Sequence, residues 1–506
     1  MGGDAGTIAA DRELQRATTG VAEGTRFVIF VWFFAAFSLI HEIIDARHWV
    51  QDGVFAISGG VLSLVAACLV IAKPTSAVRL ILLIVGLLIV KIDAMPFTPN
   101  HVLFTSLVCL LMLLALATRP RATSWPGWLA RTAGPAIRAG VVVLYLFAVL
   151  HKLNSDYFNP NASCATTLFK ELREYIPFVP TGSWINWPTI LGSLATEFGL
   201  AIFLAVPRTR TLAIAYGLLF HGLLAFHPNV YVMSFSTLII PLYSIFLPLE
   251  CYERLAEMAR DFRQRWPSSQ LWNACRYAPL VLVIAVTAYV AIRIVMSGET
   301  SPSEMRLRVE LTLRFFPRLI ATGFVLMSSA AFFAAILTKP GLLRSFDRFR
   351  DPIRWPAAAL CSLLVFNGFS PYLGTKTQTS FSMFSNLRTE AGRTNHFFMP
   401  TWLRISDETL DMVSIQKSSA ETLKRYENTG ELIPFFELRR AAANDHTSNF
   451  EIVYTPMGSD QPLTATRSGI SDDEAMRVFE EPSLLMRKVV GFRGVPPLDE
   501  PCTCRH

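Results

Sequence analysis

The sequence predicts an all-α polytopic transmembrane helical bundle of about 9–11 spans with a small C-terminal extracytoplasmic α+β domain. Three observations lead there. Of 506 residues, 52% are hydrophobic and only 17% are charged, with a mean hydropathy of +0.39, too apolar for an ordinary soluble multidomain chain. Apolar runs long enough to cross about 30 Å of hydrocarbon recur up to residue 374. From residue 375 the polarity is that of a soluble domain.

Taken in order, residues 1–24 are polar and show no small-residue cleavage site behind an apolar region. They are expected to form a cytoplasmic N-terminal segment, with the first apolar run retained as an anchor. Spans are expected to start near Phe27, Val54, Leu80, Val102, Val141, Thr189, Thr211 and Val230, filling residues 25–250. Residues 251–374 add a basic loop and further spans near Pro279, Leu319 and Pro356. Residues 375–506 contain β-rich stretches at Asp411–Gln416 and Phe450–Thr455 and a helical pattern from Asp472 to Val490.

The net charge of +7 follows membrane topology. Arg119, Arg121, Arg131 and Arg138 fill one acid-free loop, and Arg208 and Arg210 sit in another. Arg254, Arg260, Arg263, Arg265 and Arg276 occupy a third, and Lys339, Arg344, Arg348, Arg350 and Arg354 a fourth. With a cytoplasmic N-terminus all four loops are cytoplasmic, as the positive-inside rule requires. The basic character is therefore an orientation signal, and no nucleic-acid partner is expected. The same orientation places the C-terminal domain outside the cell membrane.

Of eight cysteines, Cys68, Cys109 and Cys361 lie in apolar runs and read as packing residues. Cys164, Cys502 and Cys504 fall outside, where Cys164 can pair with either of the other two. The terminal Cys-Thr-Cys-Arg-His lacks a second ligand pair, so no metal is expected there.

The same topology collects ionisable residues at the outer ends of helices. His41, Glu42 and Asp45 close the first span; Lys91 and Asp93, which can offset each other's charge, close the third. Asn100 and His101 open the fourth, His151 and Lys152 close the fifth, and His221 and His227 lie in the last turns of the seventh. Glu197 sits nearer the middle of the sixth. Each has an ordinary explanation as an interfacial or packed residue, but a shared depth suggests one polar pocket. Lys152 has two readings: its ammonium snorkels to the headgroups, or its amine faces the bundle interior, where desolvation favours the neutral, proton-accepting form.

Other chemistries lack their motifs. No His-x-x-x-His or His-x-x-His-His sets suit a di-iron site, and His41 with Asp45 has no third ligand. There is no phosphate-binding Gly-x-x-x-x-Gly-Lys-Ser/Thr loop, no strand-flanked Gly-x-Gly-x-x-Gly and no Gly-x-Ser-x-Gly elbow.

The run His151-Lys152-Leu153-Asn154-Ser155-Asp156-Tyr157 resembles the Lys-Lys-Leu-Asp-Ala-Asp-Trp segment of vitamin K-dependent γ-glutamyl carboxylase, which likewise ends an apolar helix. Asn100-His101 leads into Val102–Leu114 as an Asn-His pair does in that family, and Leu219-Phe220-His221 with Tyr231-Val232-Met233-Ser234-Phe235 is similar to its Tyr-Phe-His and Met-Phe-Ser-Tyr segments. The blocks are colinear over residues 25–250 and fit the wider bacterial group called the horizontally transferred transmembrane domain.

The resemblance implies that Lys152 is the general base and His101 the histidine assisting at the quinone, with Asn100 beside it. It implies a reduced quinone, vitamin K hydroquinone or menaquinol, with O2 and CO2 as co-substrates and no metal. In that chemistry a neutral lysine deprotonates the quinol, and reaction with dioxygen yields a base strong enough to take a γ-proton from glutamate before CO2 adds. The remaining pocket groups, His151, His221, His227, Glu197 and His41, are expected to line the cofactor site. Expected partners are membrane lipid, the quinone and a secreted peptide or protein. This chain departs from the family in carrying His151 where a second lysine stands, and residues 375–506 match none of its luminal substrate-binding regions. Ser380–Arg393 is expected to line the pocket exit, with Arg388 or Arg393 meeting an acidic substrate. The alternative is a non-catalytic protein that binds lipid or quinone, or assists secretion. A transporter fits less well, because no inverted repeat is evident.

Overall fold

A computed structural model describes residues 23–46, 54–173, 176–265, 303–338, 341, 353–445, 447, 449–468 and 472–504. The expected N-terminal segment up to residue 22, the run near Pro279 with Arg276, and Lys339, Arg344, Arg348 and Arg350 lie outside the described residues. The helices are α1 Glu23–Ala46, α2 Val54–Ala72, α3 Ala77–Ala94, α4 Asn100–Ala117, α5 Trp125–Thr132, α6 Gly134–Lys152 and α7 Cys164–Leu172. They continue as α8 Asn186–Ala205, α9 Arg210–Leu224, α10 Val230–Ser244, α11 Leu249–Arg265, α12 Ser303–Thr338 and α13 Trp355–Leu373.

Among the described residues, seven helical stretches are long and apolar enough to cross a membrane. They are α1, α2, α4, the joined α5–α6, Ser183–Ala205 around α8, Pro317–Thr338 within α12, and α13. An eighth is reached if α10 and α11, bent by 105°, count as one broken span. Of the other expected runs, the one near Pro279 lies outside the described residues, α3 carries Arg79, Lys91 and Asp93, and α9 and α10 have only 15 residues each.

The chain divides into two compact units. The first comprises residues 1–94, 101–142 and 199–362; the second comprises residues 95–100, 143–198 and 363–506. In the first, α2 and α3 form a helical hairpin through a turn at residues 73–76. Glycines let the two backbones meet: a Cβ on Gly86 would lie 2.6 Å from Ser63 N, and one on Gly59 would lie 2.6 Å from Ile89 Cγ2. On α9, Gly217 gives its missing side chain's space to the Tyr243 ring of α10. Ile40, Met233 and Ala321 form a core joining α1, α10 and α12.

In the second unit, the C-terminal residues build a four-stranded antiparallel sheet in the order β2–β1–β3–β4. Its strands are β1 Met412–Ser418, β2 Leu432–Pro434, β3 Glu451–Pro456 and β4 Leu463–Thr466. Val413, Ile415, Ile433, Ile452, Tyr454 and Ala465 pack against Phe435, Leu438 and Ala442 of the helix Phe435–Asn444. Both expected strands are present, displaced by about one or two residues. The expected helix from Asp472 to Val490 is divided into a 3-10 helix, Asp473–Phe479, and a short α-helix, Leu484–Val489. Pro482 explains the break: it disfavours helical geometry in the residue before it, and Ser483 behind it starts a new helix by accepting from Met486 N.

Candidate functional site

In the second unit, Asn154 ends α6 and ties it to the following segments. Its Nδ2 donates to His151 O and Ser385 O, both at 2.7 Å. Its Oδ1 accepts from Tyr157 N at 2.9 Å and Asp156 N at 3.1 Å. One side chain thus caps a helix end, closes the turn after Lys152 and holds the loop expected to line the pocket.

That loop has an unusual backbone. Thr379, Phe381, Phe384, Asn386 and Ala391 all take φ between 52° and 63°, a left-handed conformation that costs a non-glycine residue about 1–2 kcal/mol. Side chains hold it in place. Asn100 Oδ1 accepts from Phe381 N at 2.6 Å, and Thr379 Oγ1 donates to Thr98 O at 2.6 Å. Asn386 accepts from Cys164 N and donates to Ala162 O and Cys502 O, while Arg493 pairs with buried Glu390 at 3.3 Å. Backbone strain sustained by so many contacts marks functional segments. Asn100 therefore acts on this loop of the second unit, whereas His101 belongs to the first.

Lys152 does not snorkel. Its side chain is 6% exposed and its Nζ forms an ion pair with Glu197 Oε2 of α8, itself 14% exposed. The ammonium lies 5.8 Å from the centre of the buried Tyr157 ring. Glu197 is in the second half of α8, about 16 Å from its first turn at 1.5 Å per residue. Beside Lys152, His151 Nε2 lies 2.9 Å from Gly368 O. The close approach needs glycine, because a Cβ on Gly368 would lie 2.5 Å from the Phe147 ring.

His396 is a residue the sequence reading passed over. Its Nδ1 accepts from Phe398 N and Met399 N at 3.0 and 2.9 Å, so the proton sits on Nε2, which donates to Leu150 O at 2.8 Å. Burial lowers the pKa of this imidazole, in keeping with its neutral role. The available signal was Asn395-His396, a second Asn-His pair in the chain.

The first unit also holds a buried cluster. Lys91 Nζ lies 3.0 Å from Glu42 Oε1 and 3.3 Å from His41 Nε2, which is 3.4 Å from Asp45 Oδ2. The His41 ring stacks on Phe37 and meets His101 edge-on at 5.1 Å. Glu42 Oε2 and His101 Nε2 are buried without a hydrogen-bond partner among the described residues. Lys91 thus pairs with Glu42 of another helix.

His221 Nδ1 is 3.3 Å from Ser236 Oγ among Phe220, Phe235 and Tyr243. His227 Nδ1 accepts from Asn229 N at 3.0 Å and shapes the turn before α10. Of the residues expected to share one pocket, some are described in each unit. Lys152, Glu197, His151 and Asn100 are in the second unit; His41, His101, His221 and His227 are in the first.

Further expectations change. Arg388 is buried, and its guanidinium donates to Leu498 O and Glu500 O at 3.3 and 2.9 Å, so it clamps the C-terminal segment and is not available to an acidic substrate. Arg393 is exposed. Cys164 is disulfide-bonded to Cys504, leaving Cys502 as a buried free thiol. The terminal Cys-Thr-Cys therefore cannot offer two thiolates to a metal, and its Arg505 and His506 lie outside the described residues. Among the described residues, no group of three or more His, Cys, Asp and Glu is arranged to hold a metal ion. Comparison with family models, curated proteins and solved structures returns no match.

Proposed function

We propose that the chain is a multi-pass protein of the cell membrane, N-terminus cytoplasmic and sheet domain outside, and that Lys152 with Glu197 handles the proton of a lipid quinol in a γ-carboxylase-like reaction. The carrying observation is the buried Lys152–Glu197 pair at the end of α6. An ammonium cannot accept a proton, so Lys152 becomes a base only when its proton resides on Glu197.

The residues present fit a quinol hydroxyl. Lys152 and Glu197 provide acceptor and donor, Tyr157 provides an aromatic wall, and the partial exposure of Glu197 leaves an accessible edge. When bound there, a reduced quinone with O2 and CO2 would supply the oxidation that drives carboxylation of glutamate or a related acidic substrate. In this reading Glu197 is the proton partner of Lys152, and His151 and Asn100 position the helix end and the loop.

The test is oxygen consumption by protein in nanodiscs given menaquinol or vitamin K hydroquinone. Lys152→Ala and Glu197→Gln are each expected to slow turnover about 100-fold or more, the usual scale for a lost acid–base group. Unchanged turnover in Lys152→Ala overturns the reading. One observation favours the second reading, a non-catalytic lipid- or quinone-binding or secretion-assisting protein: the Lys152 amine is already engaged by a carboxylate. Quinone binding without any oxygen-dependent product supports that alternative.

A further inference from the structure

Between His396 and Ser406 the chain crosses the ends of two apolar helices of the second unit. His396 Nε2 donates to Leu150 O, and Phe397 N donates to Leu153 O at 3.0 Å, fixing the start of the segment against the end of α6. Ile405 N and Ser406 N both donate to Leu373 O, at 2.9 and 3.2 Å, fixing its other end to the last residue of α13. The intervening Phe397-Phe398-Met399-Pro400-Thr401-Trp402-Leu403 has no charged residue. Phe397, Phe398, Trp402 and Ile405 are 52%, 72%, 78% and 69% exposed.

A concentration of large apolar side chains on one exposed segment marks an interaction surface. The backbone shows what kind. Phe398 N and Met399 N are satisfied by His396 Nδ1, Arg404 N by Thr401 O, and Pro400 has no N–H to satisfy. Thr401 N and Trp402 N, at the start of the short 3-10 helix, have no acceptor among the described residues, so the segment suits the headgroup boundary of a leaflet, where water and phosphate still offer acceptors, and not its dry interior. The aromatic pair Phe397 and Phe398, followed by Trp402 and then Arg404, has the composition found where chains meet lipid headgroups.

We propose that residues 397–405 form a lipid-inserted loop whose Phe397, Phe398, Trp402 and Ile405 enter a phospholipid leaflet. The inference rests on the membrane reading above and adds to it the surface that meets lipid outside the spans. Its occupant is phospholipid because both ends are hydrogen-bonded to termini of helices apolar enough to be spans. The loop also reaches the Lys152 region: Phe397 lies 5.6 Å from Phe158, which lies 6.1 Å from Tyr157. Lipid at the loop would therefore lie next to the ring stack that begins at the Lys152 site.

The test is photocrosslinking of the full chain in nanodiscs of phosphatidylethanolamine and phosphatidylglycerol. Phe398→p-benzoylphenylalanine and, independently, Trp402→p-benzoylphenylalanine are expected to give phospholipid adducts by mass spectrometry. Phe198→p-benzoylphenylalanine, on the exposed side of α8, reports on the membrane reading itself, and Met457→p-benzoylphenylalanine, after strand β3, is expected to give none. Lipid adducts at 198 without any at 398 or 402 overturn the loop and leave the membrane reading standing. Capture of a second copy or another protein at 398 and 402 also overturns it. No lipid adduct at 198, 398 or 402 overturns both.

Discussion

Lys152 is held by a carboxylate that lies 45 residues away in sequence. Removing one member of such a pair leaves a buried charge without compensation, whereas replacing both with apolar groups is often tolerated. Lys152→Met and Glu197→Leu are each expected to destabilise the protein by about 3–5 kcal/mol, with the double variant recovering most of the loss, as read by thermal unfolding of all four proteins in detergent. Lys376, in the loop after α13, gives a second residue-scale prediction. Burial lowers its ammonium from 10.5 to about 8. Between those values the unfolded chain holds a proton that the folded chain has released, so stability should rise with pH across that window. Melting temperatures measured from pH 7 to 10 should show this rise, and Lys376→Met should flatten it. The residue types of the candidate site were legible in the sequence, but their partners were not. Lys152 with Glu197, and Lys91 with Glu42, pair across helices whose facing sides no linear pattern specifies.

At the scale of elements, apolar length set the helices and local chemistry set their ends. The α2–α3 crossing depends on Gly86, whose added Cβ would meet backbone and not a movable side-chain tip. Gly86→Ala is therefore expected to destabilise by about 1–3 kcal/mol. Gly192→Ala in α8, where nothing lies within 4 Å, should stabilise by about 0.5–1 kcal/mol through helix propensity. Thermal unfolding of the two variants checks the opposite signs. His396 adds a pH response to its loop. Its lowered pKa means that stability is present near neutrality and is lost as pH falls below the imidazole's ordinary range. Protonation of Nδ1 removes the acceptor for Phe398 N and Met399 N, so the protection of these two amides against exchange, relative to the intrinsic rate at each pH, should fall on acidification more than that of β1 or β3. Apolar runs and alternating strands could be read directly. The left-handed backbone of residues 379–391 could not, because it is imposed by distant Asn100, Thr98 and Cys164 and not by glycine or a turn motif.

For the whole molecule, the second unit is cross-linked by a disulfide joining residues 340 apart in sequence. Cys504→Ser is expected to cost about 2–5 kcal/mol, while Cys502→Ser should leave the cross-link intact. Non-reducing peptide mapping with thermal unfolding distinguishes the two. The sequence narrowed the pairing of Cys164 to Cys502 or Cys504. The choice came from the folded tail, where Cys502 is engaged through its backbone by Asp156 and Asn386.

Composition and run length by themselves determined the helical class, most of the helices and the C-terminal change to a small sheet, because burying apolar surface and satisfying backbone hydrogen bonds are demands each segment meets locally. Only the tertiary structure decided which charged groups meet. It gave Lys152 to Glu197, Lys91 to Glu42 and Arg388 to backbone carbonyls. The physical reason is that a buried charge takes whichever partner the packing of helices and loops brings within hydrogen-bond reach, and that packing is a property of the whole chain.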